Sequence, residues 1–176
     1  MFNTVTIIGT GLLGGSLARD LKAHGLAKRI IGVCRSDATA SLAIAQGVVD
    51  EVLPAELAVA SANLIILATP MQAMVPLLSG LMKHIPRTAI ITDVGSVKTD
   101  LYAQLVDNVP EALSQFVLAH PIAGGESSGV SASKLALFKN KHVIITDTSE
   151  VSSEFSDTVS KMWSAVGAKV KRMSLK

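Results

Sequence analysis

The sequence contains few aromatic residues, one cysteine and no long apolar run. Cys34 has no second cysteine with which to form an internal disulfide bond, which is typical of proteins from a reducing compartment. The longest apolar run covers only residues 64–68, whereas a membrane-spanning helix needs roughly 20 apolar residues. The first residues lack the basic and apolar regions of a signal peptide. We therefore expect a cytoplasmic domain that does not enter a membrane.

The chain also carries little net charge. Its formal charge is +2, and no basic block alternates with aromatic residues, so the sequence does not predict nucleic-acid binding. No cluster of Cys and His suggests a metal site. Hydrophobic residues make up 49% of the chain but aromatic residues only 3%, so the core must be aliphatic. Such a core is typical of a parallel sheet covered by helices on both faces.

Short apolar runs alternate with segments of helical period, the pattern of repeated strand–helix units. The predicted strands are residues 5–8, 30–33, 64–68, 89–92, 116–119, 143–146 and 168–170. The 176 residues are enough for one domain with a substantial core. We therefore predict a Rossmann-type α/β fold, a doubly wound, mostly parallel sheet with helices on both faces, and one dinucleotide-binding domain over residues 1–176.

Local signals predict where several helices begin and end. Glycines are predicted to end three helices, at Gly25, Gly47 and Gly167. Thr69 is predicted to cap the helix after the third strand, with Pro70 at its first position. Pro76 is predicted to break or restart that helix. The Gly-, Ser- and Ala-rich segment 121–140 lacks an apolar period, and we predict either an active-site loop or a plain surface excursion.

A G-x-G-x-x-G motif joins the first predicted strand to the first predicted helix. In this motif Gly9 permits a tight turn, Gly11 lets a pyrophosphate approach the backbone, and Gly14 lets helix and strand pack closely. The amides of Leu12 and Leu13, at the helix N-terminus, would point at the phosphates. In this context the motif predicts a bound dinucleotide. The alternative is a glycine-rich turn that binds nothing.

The residues after the second predicted strand bear on which dinucleotide binds. NAD sites usually place an acidic residue there to hold the ribose 2′-hydroxyl, but this chain has Cys34, Arg35 and Ser36. A guanidinium can bind the 2′-phosphate of NADP through two parallel hydrogen bonds. We therefore predict NADP rather than NAD, with Arg35 as the main phosphate ligand and Ser36 and Thr39 assisting. The alternative is that Arg35 is an ordinary surface charge.

Two polar residues after later strands are candidates for the chemistry. His120 directly follows the apolar run 116–119, and a histidine at a strand end can accept a proton from a substrate hydroxyl near neutral pH. A structural role for His120 is the alternative. Ser96 either caps the next helix or shares a hydrogen bond with His120 and substrate. For Ser96 alone the sequence favours capping.

Four segments in order along the chain resemble the prephenate/arogenate dehydrogenase family: GTGLLGGSLARDL, LATPMQ, TDVGSVK and AHPIAGGESSGV. The resemblance implies oxidative decarboxylation of a cyclohexadienyl substrate in tyrosine biosynthesis, with hydride passing to a nicotinamide. It also implies that His120 receives the hydroxyl proton, while Ser96 orients His120 and the hydroxyl. Gly95 and Thr69, with the neighbouring Pro70, belong by the same resemblance to the nicotinamide part of the cofactor site.

The family continues into a helical second domain, which forms the homodimer and contributes an arginine for the substrate carboxylate. This chain ends before that domain, so we expect it to bind cofactor but to show little or no turnover alone. Two other functions stay open: a non-catalytic NADP-binding module, and a reductase of the β-hydroxyacid or pyrroline-carboxylate kind. The sequence does not choose between prephenate and arogenate.

Overall fold

The computed structural model describes residues 1–175, whose strands form an eight-stranded sheet. In chain order the strands are β1 (Phe2–Ile8), β2 (Ala27–Val33), β3 (Glu51–Val52), β4 (Leu64–Leu67), β5 (Ile90–Asp93), β6 (Phe116–Pro121), β7 (His142–Asp147) and β8 (Lys169–Ser174). Across the sheet their order is β3-β2-β1-β4-β5-β6-β7-β8. Neighbouring strands are parallel except for β6 and β7. The sheet is therefore mostly parallel, as predicted.

Helices follow most of the strands. They are α1 (Leu12–Ala23), α2 (Asp37–Ala45), α3 (Ala55–Ala60), α4 (Met71–Leu81), α5 (Lys98–Asn108) and α6 (Ser153–Ala165). The three glycines predicted to end helices do follow α1, α2 and α6, each with a positive φ. Of the helices within residues 1–175, none combines the length and the apolar character that crossing a membrane requires.

Apolar side chains fill two clusters, one on each face of the sheet. Along β1, Val5 and Ile7 belong to the first cluster and Ile8 to the second, because successive strand residues point to opposite faces. The first cluster also holds apolar residues of α1, α2 and α6, and the second holds those of α3, α4 and α5. Helices therefore cover both faces, which confirms the doubly wound architecture.

The structure departs from the predictions in short or irregular places. Strand β3 has two residues and α3 has six, too few to show an apolar period in the sequence. The predicted break at Pro76 is wrong, because α4 continues through it. Pro76 is exposed there, so solvent can hydrate the carbonyl that loses its hydrogen bond to the proline nitrogen.

The second half of the segment 121–140 is anchored against α1. Ser16 Oγ accepts a hydrogen bond from the amide of Lys134 at 3.0 Å, and Asp20 Oδ1 accepts one from the amide of Ala136 at 2.7 Å. Phe138 is fully buried and packs edge-on against Trp163, with 4.9 Å between ring centroids. Helix α1, which begins at the glycine turn, thus also holds the chain that follows β6.

Candidate active site

A cavity of about 1130 Å³ lies at the carboxyl ends of the strands. It is lined by the segments that follow β1, β2, β4 and β5, together with residues between 124 and 130 after β6. The cavity sits where the strand order reverses, between β1 and β4, which is where open α/β sheets bind ligands. Most of the predicted cofactor residues line it: Gly9, Gly11, Leu12, Leu13, Arg35, Thr39, Thr69, Pro70 and Gly95.

The glycine turn meets the steric demands of a dinucleotide motif. Gly9 has a φ of +98°, and a Cβ there would lie 2.6 Å from the carbonyl oxygen of Ala68. A Cβ on Gly14 would collide with the Gly9 carbonyl oxygen and come within 2.8 Å of the Ala68 Cβ. At Gly11 a Cβ would meet no atom within 4 Å. Gly9 and Gly14 are therefore required by packing, whereas Gly11 leaves backbone open towards the cavity.

The end of β2 presents a cation beside this turn. Arg35 is exposed, lines the cavity and makes no hydrogen bond or ion pair within the described chain. Ser36 instead caps α2, where its Oγ accepts a hydrogen bond from the Thr39 amide at 3.2 Å. Cys34 Sγ lies 3.2 Å from Thr10 Oγ1, which ties the strand end to the glycine turn. Arg35 and Thr39 thus line the cavity, while Ser36 lies outside its lining.

A buried ion pair lies at the ends of β5 and β6. Lys98 Nζ contacts Asp93 Oδ2, and the two side chains are 10% and 0% exposed. Burial raises the pKa of Asp93, and Lys98 together with the amides of Ala119 and Gly95 opposes that rise. Burial likewise lowers the pKa of Lys98, against the attraction of Asp93. Lys98 Nζ also donates to the carbonyl oxygen of Ala119 at 2.9 Å, so the pair reaches the residue before His120.

His120 lies within β6 and lines a second cavity of about 450 Å³. That cavity shares Gly124 with the larger one. Partial burial lowers the pKa of His120, the Lys98 cation lowers it further, and Asp93 partly opposes both. The lowered pKa favours the neutral imidazole of His120, which is the form that can accept a proton.

The model of a protein family described as "Prephenate dehydrogenase, nucleotide-binding domain" matches residues 17–172. The chain belongs to this family. The matched range begins after the glycine turn, so the geometry of that turn is an observation independent of the match.

The relatives of this chain include two prephenate dehydrogenases and an arogenate dehydrogenase. Prephenate dehydrogenase from Bacillus subtilis (strain 168) is 34% identical over 176 residues, which cover 99% of this chain and 47% of that protein. The crystal structure of prephenate dehydrogenase from A. aeolicus in complex with hydroxyphenyl propionate and NAD+ has a TM-score of 0.91 and 32% identity, over 99% of this chain and 60% of that one. For Synechocystis arogenate dehydrogenase the TM-score is 0.88 and the identity 32%, over 97% of this chain and 59% of that one. This chain spans about half the length of the curated relatives it matches.

Two expectations about helix caps in this nucleotide-binding domain are wrong. Pro70, not Thr69, is the N-cap of α4, and it lies before the first helical position rather than on it. Val97 is the N-cap of α5, so Ser96 does not cap that helix. Ser96 is exposed and makes no hydrogen bond to His120 within the described chain. Thr69 Oγ1, in contrast, is buried without a hydrogen-bond partner among the described residues, at the wall of the larger cavity.

The buried contact between Asp93 and Lys98 is not predicted by the sequence analysis. In the sequence, Asp93 is only one of several polar residues that follow an apolar run, and Lys98 is only a positive charge five residues further on. Gly95 packs against the pair, because a Cβ there would collide with the Met71 sulfur and lie 2.9 Å from Asp93 Oδ2. The available signal was an acidic residue directly after a buried strand, since such a residue needs a partner when it is buried.

Proposed function

We propose that this nucleotide-binding domain supplies the cofactor site and the proton acceptor of an NADP-dependent dehydrogenase that oxidatively decarboxylates prephenate or arogenate. The chain belongs to this family, and the observation that best supports the proposal is that His120 lines a cavity which shares Gly124 with the larger cavity. Relatives are named as both prephenate dehydrogenase and arogenate dehydrogenase, so the substrate class is a cyclohexadienyl acid.

The glycine turn fits a dinucleotide pyrophosphate. Helix α1 has no side-chain cap, so the amides of its first turn, including those of Leu12 and Leu13, are free to bind phosphate oxygens. Gly11 has no Cβ, and no other atom lies within 4 Å of where one would be, so the pyrophosphate has room there. Next to the glycine turn, where β4 ends, the unpartnered hydroxyl of Thr69 suits the nicotinamide carboxamide, with Pro70 and Gly95 also in the cavity lining. When bound, the nicotinamide supplies the hydride acceptor of the reaction.

Arg35 favours NADP over NAD in this proposal. Its guanidinium is free to bind the 2′-phosphate bidentately, and Thr39 in the first turn of α2 adds a hydroxyl nearby. The capping hydroxyl of Ser36 lies at the same helix N-terminus and assists from there. Asp37 is the opposing charge, since it begins α2 and would repel a phosphate. The relative from A. aeolicus was crystallised with NAD+, so the proposed preference for NADP is argued only from this chain's own Arg35, Ser36 and Thr39.

His120 acts as the base in the proposed reaction. An imidazole nitrogen of His120 accepts the substrate hydroxyl proton as hydride leaves the carbon that bears the hydroxyl. The opposite ring carbon then loses carbon dioxide, the electron pair of the broken bond completes the aromatic ring, and the ring oxygen takes the proton back to give the phenol. Because aromatisation drives the reaction, the protein mainly aligns the reactants and polarises one hydroxyl. Ser96, exposed at the same sheet edge, is proposed to orient that hydroxyl once substrate is bound.

Calorimetric titration of the 176-residue chain with NADP and then with NAD tests the cofactor site. We expect NADP to bind more tightly, and Arg35→Ala to weaken NADP binding about 10- to 100-fold, the loss expected for charge-assisted hydrogen bonds. Binding of NAD should hardly change in this variant. Arg87→Ala is the matched control, because Arg87 is exposed and lies before β5, at the opposite edge of the sheet. An unchanged NADP/NAD affinity ratio in Arg35→Ala would show that Arg35 is not the phosphate ligand.

His120→Asn tests the catalytic part of the proposal. In the whole protein as it occurs in the cell, this variant should abolish substrate oxidation and leave NADP affinity unchanged. A non-catalytic NADP-binding module would show no oxidation even with His120 present. Full activity of the variant would show that another group accepts the proton.

A further inference from the structure

The sheet loses its backbone pairing between β5 and β6 just before His120. The two strands pair only through Ile91 with Phe116 and Thr92 with Val117. Strand β6 continues to Pro121, where it pairs only with β7. In a continuous sheet the backbone groups that face β5 would be hydrogen-bonded to that strand. Here they need other partners, because buried backbone groups are rarely left unpaired.

Side chains take the place of the missing backbone partners at Ala119. Asp93 Oδ1 accepts a hydrogen bond from the Ala119 amide at 3.1 Å, and Lys98 Nζ donates one to the Ala119 carbonyl oxygen at 2.9 Å. Asp93 Oδ2 in turn contacts Lys98 Nζ and accepts a bond from the Gly95 amide at 2.8 Å. Both polar backbone groups of Ala119 are thus held by one ion pair.

We propose that Asp93 and Lys98 form a positioning pair for His120, in which two side chains replace the absent backbone ladder and fix the strand where it presents the histidine. This inference rests on the proposed function of His120 as the proton acceptor. On its other side His120 is held by β7, where it pairs with Ile144. Neither Asp93 nor Lys98 is among the residues that line the two cavities in the described chain. They act through the backbone of Ala119 and through their charges.

The charges of the pair act on His120 in opposite directions. The Lys98 cation disfavours the imidazolium form of His120, and the Asp93 carboxylate favours it. Of the other titratable groups near His120, Lys141 lines the same cavity and His142 is exposed on β7. Neither belongs to the pair, so Lys141 and His142 are retained in every variant of Asp93 or Lys98.

Nuclear magnetic resonance titration of the histidine ring signals in the 176-residue chain tests the positioning pair. His120→Asn assigns the His120 signal among the four histidines. We expect Lys98→Met to raise the pKa of His120 and Asp93→Asn to lower it. Lys83→Met is the matched control, since Lys83 is exposed and precedes β5. If the pair served only to hold the fold together, both substitutions would shift the pKa of His120 in the same direction, towards that of an ordinary histidine. That result, or an unchanged pKa in both variants, would overturn the inference.

A double variant keeps the test valid if a single substitution leaves a buried charge that prevents folding. Asp93→Asn combined with Lys98→Met removes both charges, and we expect faster hydrogen exchange at the Ala119 amide than in the Lys83→Met control. Unchanged exchange there would overturn the inference. In the whole protein, Lys98→Met should lower kcat about a hundredfold with little change in the KM for NADP, since the loss is one of alignment. Lys98→Arg, which keeps the charge, should recover part of that loss, and no recovery would overturn the inference.

The NADP titration of the unaltered chain separates this inference from the proposed function. Failure to bind NADP would contradict the proposed cofactor site. It would not affect the expectation that the two substitutions shift the pKa of His120 in opposite directions. Normal NADP binding with parallel or absent shifts would contradict the positioning pair alone.

Discussion

The glycine turn allows folding and cofactor binding to be separated by two substitutions of the same size. Gly11→Ala places a methyl group where no atom lies within 4 Å, on extended backbone with a φ of −73°. Gly14→Ala places the same group against the Gly9 carbonyl oxygen and 2.8 Å from the Ala68 Cβ. We therefore expect Gly11→Ala to impair binding without loss of stability, and Gly14→Ala to impair stability first.

The expected magnitudes follow from these contacts. Alanine at Gly11 restricts the unfolded chain, so the free energy of unfolding should stay equal or rise by up to about 1 kcal/mol. The methyl group would occupy space proposed for the pyrophosphate, so NADP affinity should fall at least about tenfold, or ~1.4 kcal/mol. At Gly14, helix α1 must move away from the sheet, and overpacking of this kind costs about 1–3 kcal/mol. The gain in helix propensity, at most about 1 kcal/mol, is smaller.

Urea denaturation and thermal melting measure the stability of the two variants, and NADP titration measures their affinity for the cofactor. For a chain of this size, each kcal/mol corresponds to a change in melting temperature of roughly 2–4 °C. Gly14→Ala should therefore melt at a lower temperature than the unaltered chain, and Gly11→Ala should not. Normal NADP binding by Gly11→Ala, or a Gly14→Ala chain as stable as the unaltered one, would contradict these expectations.

Two further predictions concern stability. Phe138→Ala should lower the free energy of unfolding by about 3–5 kcal/mol, because the ring is fully buried against Trp163; a loss below ~1 kcal/mol in urea denaturation would contradict this packing. Asp50→Asn should destabilise the chain at neutral pH. Burial alone would raise the pKa of Asp50, but Lys22 and the Ile30 amide hold it below its ordinary value. The stability that Asp50 contributes is therefore present above its unfolded pKa and is lost as the pH falls through its folded pKa. Urea midpoints of variant and unaltered chain should converge in acid, and a constant difference would contradict the prediction.

Much of the fold can be predicted from the sequence, because buried parallel strands have short, continuous runs of apolar residues. The run at residues 64–67 is apolar throughout since both of its faces are covered, by the first cluster at Leu64 and by the second at Ile65. The glycine turn can be predicted equally well, because the spacing of its glycines reflects local steric limits. Helix details were less predictable. Pro76 is tolerated because it lies on the exposed side of α4, a fact of tertiary placement.

The candidate site also has features that the sequence predicts and features that depend on the tertiary structure. The sequence by itself determined that His120 directly follows the apolar run 116–119 and that a cation stands at the end of β2, since both depend on neighbours along the chain. Only the tertiary structure decided that β6 loses its pairing with β5 at Ala119 and that Asp93, 26 residues away, takes over the bond. It likewise decided that Ser36 caps a helix and Ser96 does not. The reason is physical: hydrogen bonds and buried charges find their partners in space, and the separation of those partners along the chain is free to vary.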